Sequence, residues 1–138
     1  MQTFQETDDI VEAFSRSIVH RNLCPLVKSD VEGTPDMKFV GIFSENRMQW
    51  FMTELACCSD SICIVPIAVE NQYMNEDRIS SIINQTEMTT VCVSKLTIGV
   101  VLDLKSQNRI PKLKNLILYD LAEDLHITLA SQVGFQIF

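Results

Sequence analysis

Short apolar runs alternate along this chain with longer stretches in which apolar residues recur every three or four positions. The runs at 39–43, 62–67, 89–93, 115–119 and 135–138 have the length and composition of strands covered on both faces. Between them the spacing predicts helices. Ile10, Phe14 and Ile18, four apart with Val11 beside them, mark a first helix capped by Asp8 or Asp9 and closed at Cys24-Pro25. Residues 26–37 predict a loop, with Gly33 and Pro35 as turn residues. After the first run, Asn46 suits an N-cap with Gln49 as its capping-box partner. Met48, Phe51, Met52, Leu55 and Cys58 then form a stripe expected to pack in the core, leaving Arg47, Gln49 and Glu54 in solvent. Further on, Glu76 and Asp77 open a helix with Ile79, Ile82 and Ile83 on its apolar face. Thr97 caps one bearing Ile98, Val101 and Leu102, and a last helix over 122–133 stops at Gly134.

Strand, crossover and strand, repeated, predict an open, mostly parallel α/β sheet of about five strands with helices on both faces. On this reading residues 1–37 are a helix and loop leading into an α/β segment at 38–138. The last strand has no element to close it, so we expect a piece of a longer chain.

Composition narrows the function. With 138 residues, 46% of them hydrophobic and 21% charged, the chain can bury a single core. A net charge of −7 with scattered Lys and Arg excludes a nucleic-acid surface, which needs clustered cations. The five cysteines offer no C-x-x-C pair. Cys57, Cys58, Cys63 and Cys92 fall on apolar faces, which predicts buried, reduced thiols. No signal peptide opens the sequence, so a cytoplasmic protein is expected, and no run approaches the ~20 apolar residues of a membrane span.

An α/β pattern invites a nucleotide, and the glycines decide. Gly33, Gly41, Gly99 and Gly134 build neither G-x-G-x-x-G nor G-x-x-x-x-G-K-[ST], so no phosphate cradle is predicted and no nucleotide site within this segment. Asp8-Asp9 and Lys95 echo a response-regulator receiver, but that acidic pair must follow the first strand, and here it opens a helix. Asp120 ends the fourth strand without an acidic partner ending the first. His20 and His126 lack motif-spaced partners and are expected to be structural or solvated. Glu45 and Glu54 are expected in solvent.

The segments also match something specific in their order. Val40 to Phe43, then Glu45-Asn46-Arg47 with Trp50, Ala56-Cys57 and Val65-Pro66 resemble the N-terminal region of the long-chain fatty acyl-CoA synthetases. Those enzymes are AMP-forming members of the adenylate-forming ligase superfamily. Ile79 to Asn84, Thr90 to Val93 and Ile110 to Asp120 resemble the family's following segments, and the likeness covers about residues 38–120. It implies that Gly41, Glu45, Asn46, Arg47, Trp50 and Pro66 form a structural family motif, with Asn46 capping, Trp50 packing and Pro66 ending a strand. It implies a parent enzyme that uses ATP and Mg2+ to turn a fatty acid into an acyl-adenylate, then transfers the acyl group to CoA. That parent would be cytoplasmic, or peripheral at a membrane through parts not present here. The family's phosphate-gripping loop and its catalytic residues lie downstream. The resemblance therefore implies no catalytic, cofactor-binding or metal-binding residue in this chain. It implies an inactive scaffold that self-associates when isolated, through an apolar face or sheet edge. A non-catalytic α/β interaction or receiver-like module is the alternative.

Overall fold

The computed structural model describes residues 3–69 and 75–138. Its elements in chain order are α1 (Phe4–His20), β1 (Leu26–Val27), β2 (Met37–Phe43), α2 (Met48–Ser59) and β3 (Ile62–Pro66). They continue with α3 (Glu76–Thr86), β4 (Thr90–Val93), α4 (Ile98–Ser106), β5 (Asn115–Leu118), α5 (Asp124–Gln132) and β6 (Gln136–Ile137). The fold is the α/β architecture expected, a six-stranded, mostly parallel sheet. All five expected strands are present within a residue or two of their expected bounds. β1 is the addition, antiparallel to β2 through Leu26↔Lys38 and Val27↔Met37 in what was expected to be loop.

Among the parallel strands β2 stands second from one edge and β4 in the middle. β2 pairs with β3 on one side and β4 on the other, and β5 and β6 continue outward. Numbered along the chain, the parallel strands stand in the order 2-1-3-4-5, a doubly wound sheet. Alternation along each strand then sorts the core into two layers. Val40, Ile42, Cys92 and Ile117 pack with Ile18 of α1 and Cys57 of α2. Phe43, Val91, Val93 and Leu116 pack with Ile79, Ile83, Val101, Leu104 and Ala130 of α3, α4 and α5.

Three local expectations are corrected. α1 starts earlier than the aspartates suggested, because Thr3 and Glu6 form a capping box: Glu6 N–H donates to Thr3 Oγ1 at 3.2 Å and Thr3 N–H to Glu6 Oε2 at 2.8 Å. Asp8 and Asp9 therefore lie inside the helix. α2 is capped by the extended backbone of Arg47, not by Asn46, which is exposed, and Gln49 accepts a hydrogen bond from Arg47 Nε instead of reaching back to a cap.

The stripe expected to be core is turned outward as well. α2 buries Met52, Thr53, Ala56 and Cys57, whereas Met48, Phe51 and Leu55 are 57%, 50% and 38% exposed. The small Thr53, Ala56 and Cys57 let the helix backbone approach the sheet, which the bulkier stripe would hold off.

The thiols follow the same rotation. Cys24, Cys57 and Cys92 are buried and Cys63 is partly so, but Cys58 is exposed. Burial pushes the Cys24 and Cys92 thiols up to about 12 and the Cys57 thiol higher still. In the native chain at pH 8 a chromogenic disulfide reagent is expected to titrate one thiol rapidly, and Cys58→Ser to remove that phase. A fast phase that survives Cys58→Ser would contradict this orientation of α2.

Candidate functional site at the carboxyl edge of the sheet

In a doubly wound sheet, ligands bind where adjacent strands send their connections in opposite directions, beyond the carboxyl ends of those strands. Here that point lies between β2 and β4. The residues that follow β2, β4 and β5 converge there: Ser44, Glu45 and Arg47 from the first, Ser94 and Lys95 from the second, Tyr119 and Asp120 from the third.

Arg47 is the hub. Its guanidinium donates to both carboxylate oxygens of Asp120, at 3.0 and 3.1 Å, a bidentate fork. It also donates to Glu45 Oε1 at 3.3 Å and to Gln49 Oε1 at 2.9 Å, and it sits 5.8 Å from the centre of the Tyr119 ring. These bonds occupy four of its five N–H groups. Arg47 was expected in solvent, yet its side chain is only 21% exposed.

The partners are occupied too. Asp120 Oδ2 accepts the Lys95 backbone N–H at 2.8 Å, and Glu45 Oε2 accepts the Ser94 hydroxyl at 2.7 Å. Glu45 was also expected in solvent, and the network half-buries it. The Arg47 fork and the Lys95 amide hold the Asp120 carboxyl below the usual carboxylate range, and Asp120 in turn raises the Arg47 guanidinium.

Two further contacts fasten this edge to the layers on either side. Thr97 stands at the start of α4 as expected, but its hydroxyl does not cap the helix. It donates to the Phe43 carbonyl and accepts Ser94 N–H at 3.1 Å. On the other face Thr53 donates to the Gln49 carbonyl at 2.8 Å, which leaves its oxygen to accept the Tyr119 hydroxyl at 2.7 Å.

Chemically the edge is self-contained. Glu45, Asp120 and Glu123, the last paired with Lys95 Nζ at 2.7 Å, outnumber Arg47 and Lys95. A phosphate would meet a net negative charge and spent donors. No loop here carries a glycine, and among the described residues no group of His, Cys, Asp and Glu is placed to hold a metal. The receiver arrangement is also missing, since Ser44 and Glu45 follow β2 while Asp8 and Asp9 lie in α1.

The remaining motif residues sit as follows. Gly41 lies in the middle of β2 against Met88 and Val91. Trp50 is half-buried against the α1 and α2 layer, and Pro66 is the last residue of β3, opposite Ile42. His20 lies in the last turn of α1 and His126 is half-buried in α5. Sequence reasoning missed Ser94, Thr97 as a tether, Tyr119 and the pairing of Arg47 with Asp120. The one signal for that pairing was that Glu45-Asn46-Arg47 and the segment ending at Asp120 both carry the family likeness.

No family model matches the chain. Its architecture is that of the adenylate-forming domain. The A domain of a carboxylic acid reductase from Segniliparus rugosus, solved with AMP and a co-purified carboxylic acid, superposes with a TM-score of 0.73. It does so at 10% identity over 99% of this chain and 21% of that one, which speaks to fold alone. In sequence the chain is similar to the long-chain fatty-acid–CoA ligases. It is 35% identical over 88 residues to long-chain-fatty-acid–CoA ligase 6 of Mus musculus, covering 63% of this chain and 12% of the ligase. It is 31% identical over 96 residues to ligase 1 of Homo sapiens, covering 69% and 13%. The family resemblance carried by the motifs is thus borne out. The chain spans 12% and 13% of the length of these two curated relatives. No helix among the described residues is long and apolar enough to cross a membrane.

Proposed function

We propose that this chain is part of the N-terminal domain sheet of a long-chain fatty acid–CoA ligase and serves there as scaffold, without adenylating activity of its own. The parent would bind a fatty acid, ATP with Mg2+ and CoA, forming the acyl-adenylate with release of pyrophosphate and then the thioester. It would work in the cytoplasm or peripherally at a membrane. One observation carries the reading. The Arg47–Asp120 fork joins the two segments with the family's wording, 73 residues apart, and spends its hydrogen bonds inside the fold. A group that must grip a phosphate keeps donors free, whereas a strut uses them up.

Pyrophosphate exchange tests it. The purified chain with ATP, Mg2+ and fatty acids from laurate to arachidate is expected to show no fatty-acid-dependent exchange above buffer. Exchange that follows the chain through purification would overturn the scaffold reading. A longer gene product that contains these residues is expected to carry a Ser/Thr/Gly-rich phosphate loop downstream and to catalyse the exchange. A product without that loop would remove the ligase assignment.

A further inference from the structure

One residue on the inward face of β2 is a cation. Side chains alternate along a strand, so Lys38 shares a face with Val40 and Ile42, the face covered by α1 and α2. Register sets Leu26 of β1 on one side of Lys38 and Ile62 of β3 on the other, so the charge stands in an apolar row. Over that row lies a recess of about 220 Å³, walled by Ile18 and Val19 from the last turn of α1 and by Cys24.

Nothing in the fold neutralises this ammonium. Lys38 is half-buried, and among the described residues its Nζ makes no hydrogen bond or ion pair. Lys105, the other described lysine that is not exposed, donates to the Pro111 and Leu113 carbonyls. Around Lys38 the acceptors are engaged elsewhere. The carbonyls of Ser17, Ile18 and Val19 at the end of α1 accept the N–H groups of Arg21, Leu23 and Asn22 respectively. Asp60, just before β3, accepts the Ser15 hydroxyl. The Cys24 thiol, pushed up to about 12 by burial, stays neutral.

We propose that this recess binds a small monocarboxylate with a short apolar tail, its anion on the Lys38 ammonium and its tail between Ile18, Val19, Leu26 and Ile62. A cation among apolar groups is best matched by an anion that brings its own apolar cover. One ammonium suits one carboxylate, whereas a phosphate dianion calls for more donors than the recess holds. Lys38 is the only charged residue that lines it, so the local sign is the reverse of the chain's net −7. The volume has room for about seven water-sized groups, which admits a tail of about six to eight carbons and excludes a long acyl chain.

The recess lies at the start of β2, at the opposite edge of the sheet from Arg47, and its walls all belong to residues 18–62. Binding there does not depend on the ligase reading, and the two tests fail separately. The full 138-residue chain, isotope-labelled, is titrated with butyrate, hexanoate, octanoate and decanoate and followed by amide NMR. Saturable shifts are expected at 18–26, 37–39 and 61–63. Affinity is expected to rise by up to about fourfold per methylene and to level off near octanoate, where the recess is full. Lys38→Met keeps the stem and removes the charge. It is expected to weaken octanoate roughly 10-fold or more and to leave the binding of octanol unchanged. Lys38→Arg is expected to hold octanoate within about threefold of the wild type. Absence of saturable shifts overturns the proposal, and so do shifts centred on Phe51 and Leu55 of α2. Octanoate and octanol bound equally, with Lys38→Met indifferent, overturn it too and leave Lys38 as a stem that only covers apolar surface.

Discussion

Arg47→Ala is expected to destabilise the chain by about 3 kcal/mol, read as a lowered urea midpoint with Trp50, the only tryptophan, as fluorescent reporter. The effect comes less from the lost attraction than from what is left behind. Asp120, 23% exposed, loses its fork and keeps one backbone donor, while Glu45 keeps only the Ser94 hydroxyl. Natural domains are stable by about 5–15 kcal/mol, so such a loss takes a large share of the whole. Arg47→Lys is expected to recover less than half, because an ammonium cannot span both Asp120 oxygens while also reaching Gln49. Asp120→Ala frees the same guanidinium, so the double variant should be less destabilised than the two single losses added together, by about 1.5–3 kcal/mol. Additivity would mean that the fork seen here does not form.

The same pair fixes an acid limb of stability, and its sign follows from the direction of the Asp120 shift. The folded carboxyl titrates below its unfolded value of about 3.9, so in that range the unfolded chain binds more protons. The stabilisation is fully present above the unfolded value. It is lost as pH falls through about 4 toward the folded value. Asp120→Asn should start from a lower plateau at pH 7 and fall less steeply between about pH 5 and pH 3. An unchanged slope would mean that other carboxylates carry the acid limb.

How far the sequence foretold this depends on whether the signal was local. The strands after β1 and the α3, α4 and α5 helices were legible because a continuous apolar run and a 3.6-residue apolar period are both short-range properties. β1 was not legible, since two residues hold no period and only β2 opposite them makes Leu26-Val27 a strand. The face of α2 was misjudged for a different reason. Size ranks Met48, Phe51 and Leu55 as core, but close approach to the sheet favours Thr53, Ala56 and Cys57, and packing decided between two stripes that share Met52. The start of α1 could have been read from Thr3 and Glu6, which have the spacing of a capping box. The hub could not. Arg47 and Asp120 are 73 residues apart, and nothing about either in isolation distinguishes a strut from a solvated charge. What makes them partners is the parallel topology, which brings the ends of β2 and β5 to one edge on either side of β4.

Gly41 is where that topology leaves least room, and its substitution is the second large effect. A Cβ built there would lie 2.7 Å from Met88 Sδ and 2.9 Å from Val91 Cγ2, on the face of β2 turned toward the α3 layer. The Met88 tip can swing away through its rotatable bonds. Val91 cannot, being β-branched, fully buried and held opposite Gly41 in the β2–β4 ladder. Gly41→Ala should therefore cost about 1–2 kcal/mol, and Gly41→Val about 3 kcal/mol or more, the range of overpacked cores. The β-propensity that alanine and valine gain over glycine works in the opposite direction, but that scale spans only ~1 kcal/mol and does not offset the clash. Because Val91 is the unyielding neighbour, Gly41→Ala placed in a Val91→Ala background is expected to be nearly neutral, although Val91→Ala alone opens a cavity and destabilises. If the new methyl costs the same in both backgrounds, the strain lies elsewhere than between β2 and β4. If Gly41→Val unfolds at the wild-type urea midpoint, the strands are not packed as tightly as the 2.7 and 2.9 Å approaches to an added Cβ imply.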